Sequence, residues 1–295
     1  MNADPDRPLS APFNPNVRKA SVAVPALACD THAHVFGPGQ KYPFIPHGLY
    51  TPADALPQDY LGLLDALGCG RGVLVQPSIY EHNNQAMLDT MVLAPERLRG
   101  IAALPFDAPT AEIERLHGLG VRGVRCNIVD LKFNKGMLPL DGLKQLAANI
   151  APFGWHVEFL MHVNEFPDLD RQLADFPTDV SFGHLGYVKT EHGNDTEGFK
   201  ALLRMMKDGK AWVKLTAPYR LTMSEMPYPD TDETAAILVD TAPERLLWGS
   251  DWPHTYIKTA MPDDGELFEL FVKWVPDAAM RERILVDNPA ELYDF

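Results

Sequence analysis

The chain is poor in cysteine, short of basic charge and free of long apolar runs. Its three cysteines, Cys29, Cys69 and Cys126, form no CxxC pair and no disulfide framework, and they read as thiols of a reducing, cytoplasmic compartment. Lys and Arg number 26 against 40 Asp and Glu, a formal charge of −14, with no basic cluster anywhere. Nucleic-acid binding normally needs a basic face, so no nucleic-acid partner is expected. No apolar stretch approaches 18 residues, so no membrane span is expected either. The first residues lack the basic-then-apolar pattern of a secretory leader. No fixed-period repeat is present. No GxGxxG follows the first strand-like run, which argues against a doubly wound dinucleotide-binding sheet.

What remains is ordinary for a soluble globular domain: 46% hydrophobic and 22% charged over 295 residues. Residues 1–24, rich in Pro, Asn and Asp, read as an irregular N-terminal arm, and 25–295 as one folded domain. A homo-oligomer is left open. An anionic ligand would need a local basic pocket to enter against the overall negative field.

Eight strand-type runs recur along the chain: 27–35, 71–78, 98–106, 121–128, 155–162, 179–186, 211–218 and 245–252. Several are almost continuously apolar, as parallel strands covered on both faces must be. Helical periodicity fills most of the gaps, at 58–68, 109–118, 139–152, 168–175, 197–207, 232–242 and 264–275. Eight strands alternating with helices predict a (β/α)8 TIM-type barrel. The longer loops, 35–57, 129–138, 187–196 and 218–231, all follow strands, on the face where such barrels place their chemistry.

The histidines gather at the ends of those runs. His32 and His34 in DTHAH are two apart, so an extended backbone turns both to one side, where they can share a metal ion. His162 ends the fifth run, His184 lies near the end of the sixth, and Asp251 near the end of the eighth. In a barrel these ends converge on one mouth. Histidines plus an aspartate there make a site for a divalent ion, Zn2+ first among them, with a carboxylate for acid–base work. His156 is mid-strand and reads as core. His47, His82, His117 and His192 receive no role. Trp248 and Trp252 read as packing, and Cys126 as a small buried residue without a base to activate it.

DTHAHVFGP, FGHLG and LLWGSDWPH, with the ending LVDNPAELYDF, resemble the motifs of the amidohydrolase superfamily in its metal-dependent hydrolase type 2 branch. YPFIPHGLYTP and RGVRCN are similar to the 2-pyrone-4,6-dicarboxylate lactonase and sulfomuconolactone hydrolase group. The likeness runs from about residue 25 to 295. It implies a (β/α)8 barrel that opens a small carboxylated or sulfonated lactone, with His32, His34, His162 and Asp251 at the metal. Asp251 would be the general base and His184 a further ligand or a contact to the substrate carbonyl. It implies that Tyr50, Arg125 and Arg220 hold the substrate's anionic groups. Tyr187 and His254 are read as further candidate substrate contacts, His254 with a structural role as the alternative.

The chain also departs from that group. Pyrone-dicarboxylate lactonases are understood to work without metal and lack a ligand-type histidine at the position of His162. Tyr187 stands where they have arginine, Leu160 where they have tyrosine, and Lys132 only near another expected arginine. These changes favour a smaller anionic lactone over the dicarboxylate pyrone. Two enzyme alternatives stay open: a metal-dependent non-oxidative decarboxylase of the same superfamily, and a metal-free lactonase of the pyrone type. A barrel that only binds an anion is a third, though it would have no use for Asp251.

Overall fold

The computed structural model describes residues 7–129 and 137–295. Lys132 and most of the predicted 129–138 loop lie outside the described residues. The eight runs become eight parallel strands paired in chain order: Cys29–Ala33 (β1), Arg71–Val75 (β2), Leu98–Ala102 (β3), Val121–Asn127 (β4), His156–Leu160 (β5), Val180–Phe182 (β6), Ala211–Leu215 (β7) and Leu246–Trp248 (β8). No ladder joins β8 to β1. The seam is closed by the Ala33–Trp252 bridge, by Asp251 N donating to His32 O at 2.8 Å and by the Thr31 hydroxyl donating to Trp248 O at 2.7 Å. The result is the expected (β/α)8 barrel.

Helices Pro57–Leu67 (α1), Gln85–Met91 (α2), Thr110–Gly118 (α3), Leu140–Ile150 (α4), Leu169–Gln172 (α5), Glu197–Lys207 (α6), Asp232–Thr241 (α7) and Asp264–Trp274 (α8) follow the strands in turn. Their ends have local causes. Gly68, at φ 79°, terminates α1 in the left-handed region open to glycine. Asp263 caps α8 by accepting from Gly265 N and Glu266 N. The periodicity did not reveal α2, nor the C-terminal helices Ala278–Glu282 (α9) and Asn288–Tyr293 (α10). Residues 7–28 form no helix or strand beyond one bridge from Leu9 to Thr51.

Alternation along β5 shows how the strands divide their side chains. Phe159 faces outward onto Phe182 and Phe176, whereas Glu158 reaches into the barrel to meet Lys214 of β7 and His32 of β1. A separate inner apolar group, including Cys29, Val73, Trp212 and Leu247, packs with Leu292 and Tyr293 of α10. No described helix is long and apolar enough to cross a membrane.

Candidate active site

His32, His34 and Asp251 are all buried and converge at the C-terminal end of the barrel. Among the described residues they are the one trio whose ligand atoms lie within 4.8 Å of each other. The pairing register slips between Asp30 and Ala33, so β1 is irregular where His32 sits. Gly249, in the WGSDW turn, makes room for it: a Cβ there would lie 2.8 Å from both the backbone nitrogen and Cβ of His32. Asp251 itself has φ 65°, a left-handed conformation unusual outside glycine and held by the surrounding contacts. Beneath the turn, the Asp30 carboxylate accepts from the backbone N–H and hydroxyl of Ser250, at 2.8 and 2.7 Å. Burial raises the Asp30 pKa to about 6 despite those donors.

The two oxygens of Asp251 have different partners. Oδ2 accepts from the Tyr219 hydroxyl at 2.6 Å and from Arg220 Nε at 2.7 Å. Oδ1 is buried with no hydrogen-bond partner and faces His32 Nε2 at 3.6 Å and His34 Nε2 at 3.7 Å. Burial alone would raise the Asp251 pKa. The Arg220 guanidinium leads the opposing causes, and the carboxyl is held well below the usual range. Burial lowers the pKa of all three histidines here, His32 to about 4 and His184 well below its ordinary value, so each is neutral near pH 7.

His34 Nδ1 lies 2.7 Å from the Val75 carbonyl, which can only accept. The proton therefore sits on Nδ1 and Nε2 presents a lone pair to Asp251. His32 Nδ1 lies 3.4 Å from Glu158 Oε1 and 3.3 Å from Lys214 Nζ. That buried ion pair governs which nitrogen of His32 carries the proton. With it on Nδ1, toward Glu158, Nε2 is a second lone pair, and Nε2 has no hydrogen-bond partner. Two imidazole nitrogens and a carboxylate oxygen, with His32 Nε2 and Asp251 Oδ1 buried and unpartnered, fit a divalent cation.

A cavity of about 250 Å3 opens above this trio, lined by His34, His184, Asp251, Arg125, Arg220 and Tyr187, with Tyr50 at its edge. The His184 ring lies 5.1 Å from that of His32, and its Nδ1 is buried without a partner. Arg125 donates to the Gln76 carbonyl at 3.0 Å, while its Nε has no partner. Arg220 is turned toward Asp251 and the Thr255 carbonyl. Tyr50 stacks on Tyr256 and receives a hydrogen bond from Thr255.

Two expected site residues are placed elsewhere. His162 does not join the trio. Its ring stacks on Tyr187 at 4.3 Å, its Nδ1 meets the Tyr187 carbonyl at 2.9 Å, and Glu165, Lys189 and His192 are its charged neighbours. The chain leaves β5 at Leu160 and enters a 3-10 turn at Val163, which carries His162 away from the axis. His254 does not reach the cavity either. Both its nitrogens are engaged, Nδ1 with the Tyr219 hydroxyl at 2.8 Å and Nε2 with Asp264 at 3.1 Å. Cys126 is half-buried and lines a neighbouring cavity, with its thiol pushed up to about 12 by burial.

Sequence reasoning missed Tyr219, Glu158 and Lys214. Tyr219 was adjacent to the singled-out Arg220. Glu158 and Lys214 carried a legible signal, because each is a charge inside an otherwise apolar strand, HVEFL and AWVKL.

Comparison with known proteins gives concordant results. The amidohydrolase family model matches residues 29–295. A 2-pyrone-4,6-dicarboxylate hydrolase of Comamonas testosteroni is 37% identical over 94% of this chain and 93% of its own. A 4-sulfomuconolactone hydrolase of Rhizobium radiobacter is 36% identical over 95% of this chain and 94% of its own. The crystal structure of a probable 2-pyrone-4,6-dicarboxylic acid hydrolase from Acinetobacter baumannii, with citric acid bound, superposes with a TM-score of 0.82 at 30% identity, covering 91% of this chain and 100% of that one.

Proposed function

The chain belongs to the amidohydrolase family, and on that premise we propose that it hydrolyses a small lactone bearing a carboxylate or sulfonate. The observation that carries this reading is the split environment of Asp251. One oxygen is pinned by Tyr219 and Arg220, and the other is buried and unpaired, beside a cavity that Arg125 also lines. A carboxylate held in this way is oriented and ionised before substrate arrives.

Arg125 pairs with the substrate's acidic group, for which its planar fork is suited. His184, a neutral imidazole with one N–H, donates to the lactone carbonyl oxygen. Asp251 Oδ1 takes a proton from the water that attacks the carbonyl carbon. As the ring C–O bond breaks, the same proton passes to the departing ring oxygen, and the product is an open-chain hydroxy acid. Tyr219 and Arg220 keep the carboxylate aimed throughout. His32 and His34, with Asp251, would hold a divalent ion, Zn2+ in our reading. Bound there, such an ion supplies carbonyl polarisation or a more acidic water.

Purified protein, assayed with a panel of acidic γ- and δ-lactones with and without added Zn2+, tests this directly. Hydroxy acid should appear in step with loss of lactone. No turnover of any member under either condition would overturn the proposal, and CO2 release from an acidic substrate would replace hydrolysis by decarboxylation.

A further inference from the structure

Beside the reacting centre lies a second cavity of about 610 Å3. The two share a wall: Leu49, Tyr50, Ser78, Arg125, Asn127 and Val129 line both. Beyond that wall the larger space is lined by Ile45, Ile79, Leu104 and Phe106, with His47, Glu81 and His82 also on its boundary. Leu49, at the junction, is 50% exposed. A small lactone ring with one acidic group is accommodated by the inner pocket, where Asp251 and both arginines are found. It would leave the larger space filled with water against apolar side chains, which is an unfavourable use of buried surface. Cavities of about 300–1,000 Å3 with mostly apolar walls and a few convergent polar groups are the kind that take drug-sized organic molecules.

We propose that the substrate is an acidic lactone carrying an apolar tail, alkyl or aryl, with the ring and its anion at Asp251 and Arg125 and the tail against Ile45, Ile79, Leu104 and Phe106. The inference rests on the lactonase reading above and adds a specificity element to it. Arg125 is the pivot, because it lines both spaces and so marks where the polar head ends and the tail begins.

The experiment pairs turnover with binding. Three substrates are compared: a γ-butyrolactone carboxylate without a tail, with a butyl chain, and with a phenyl ring. Succinate, butylsuccinate and phenylsuccinate serve as non-reacting probes in calorimetry. Burying a methylene is expected to tighten binding about fourfold. The butyl and phenyl compounds should therefore show KM and Kd values at least tenfold below those of the tailless ones, with kcat little changed. Leu104→Asp should bring the tailed-to-tailless ratio close to one, and Phe106→Gln, as an independent variant, should reduce it. Lactone turnover without any preference for a tail, or a preference untouched by both variants, overturns the proposal. If no lactone reacts while tailed succinates still bind more tightly in a Leu104-dependent way, the lactonase reading falls and the apolar seat stands.

Discussion

Toward the end of the barrel where the strands begin, Leu292 and Tyr293 of α10 pack with Cys29, Val73, Trp212 and Leu247. The Phe295 ring lies below the guanidinium groups of Arg71 and Arg99, at 5.1 and 4.6 Å. At the opposite end the Asp251 carboxylate keeps one oxygen unpaired, two histidine nitrogens lack partners, and the backbone is contorted. Nine of the ten described non-glycine residues with positive φ lie in segments that follow strand ends, among them His184, Tyr187, Ala217 and Asp251, and only Asp294 lies at the other end. The same eight strands thus support a closed end, covered by the C-terminal helix, and an open end, where backbone strain is concentrated and the unpaired Asp251 oxygen sits beside a cavity. The neighbouring packing is what sustains such strain at a site.

The sharpest break in this comparison is Asp251→Asn. It keeps the shape and removes the proposed base, so kcat should fall roughly 10²–10⁴-fold. Circular dichroism should show the fold intact. Retention of near-wild-type turnover would remove Asp251 from the chemistry.

Lys214→Met probes the layer between the two ends. It leaves Glu158 buried without its cation, and breaking such a pair costs about 3–5 kcal/mol. Denaturant unfolding should show that loss. The double variant Lys214→Met/Glu158→Leu should recover most of it, because a matched apolar pair carries no stranded charge. If the single variant is as stable as the parent, the ion pair has no structural weight.

His156 tests the closed end. Burial lowers its pKa to about 4 against an ordinary 6.5, and neither nitrogen has a partner. The unfolded chain therefore binds this proton first as pH falls. The residue withdraws about 3 kcal/mol of stability between pH 6.5 and 4, by linkage at 1.36 kcal/mol per pKa unit. Asp30, raised to about 6, works in the opposite sense: its folded form binds a proton first, so it adds stability as pH falls from 6 toward 4. His156→Leu should flatten the acid limb of the stability–pH curve while leaving turnover at pH 7 in place. An unchanged acid limb would contradict the assignment.

At the open end, Arg125→Ala should raise KM roughly 10–100-fold, the loss of a charged hydrogen bond of about 1.5–3 kcal/mol. An unaltered KM for every acidic lactone would exclude it as the anion contact. The smallest effect is expected at His162. Its ring is stacked on Tyr187 outside the trio, so His162→Ala should change metal content and kcat by no more than about twofold, within the range of peripheral substitutions. Loss of the metal in this variant, read by elemental analysis of protein purified without chelator, would restore it as a ligand.

Much of this molecule is legible from residue order alone. Eight apolar runs of strand length separated by helical periodicity require a covered parallel sheet, and all eight strands form inside the expected limits. HxH at the first strand and Asp251 at the last are adjacent because closing a barrel brings strand one beside strand eight, so the core of the site was readable too. The C-terminal helices were not: α9 is five residues long and buries none of them, and α10 turns Leu292 and Tyr293 onto the inner barrel group, so neither shows an amphipathic surface stripe. Other features depended on the tertiary structure. Glu158 and Lys214 are 56 positions apart, and only the barrel, which sets β5 and β7 on either side of β6, makes them a pair. His162 lies two residues beyond Leu160, the last residue of its strand, and the turn that follows sets it against Tyr187. Sequence spacing sets which residues can face one way while the backbone stays extended. Once a strand ends, side-chain direction is decided by the loop and what it packs against.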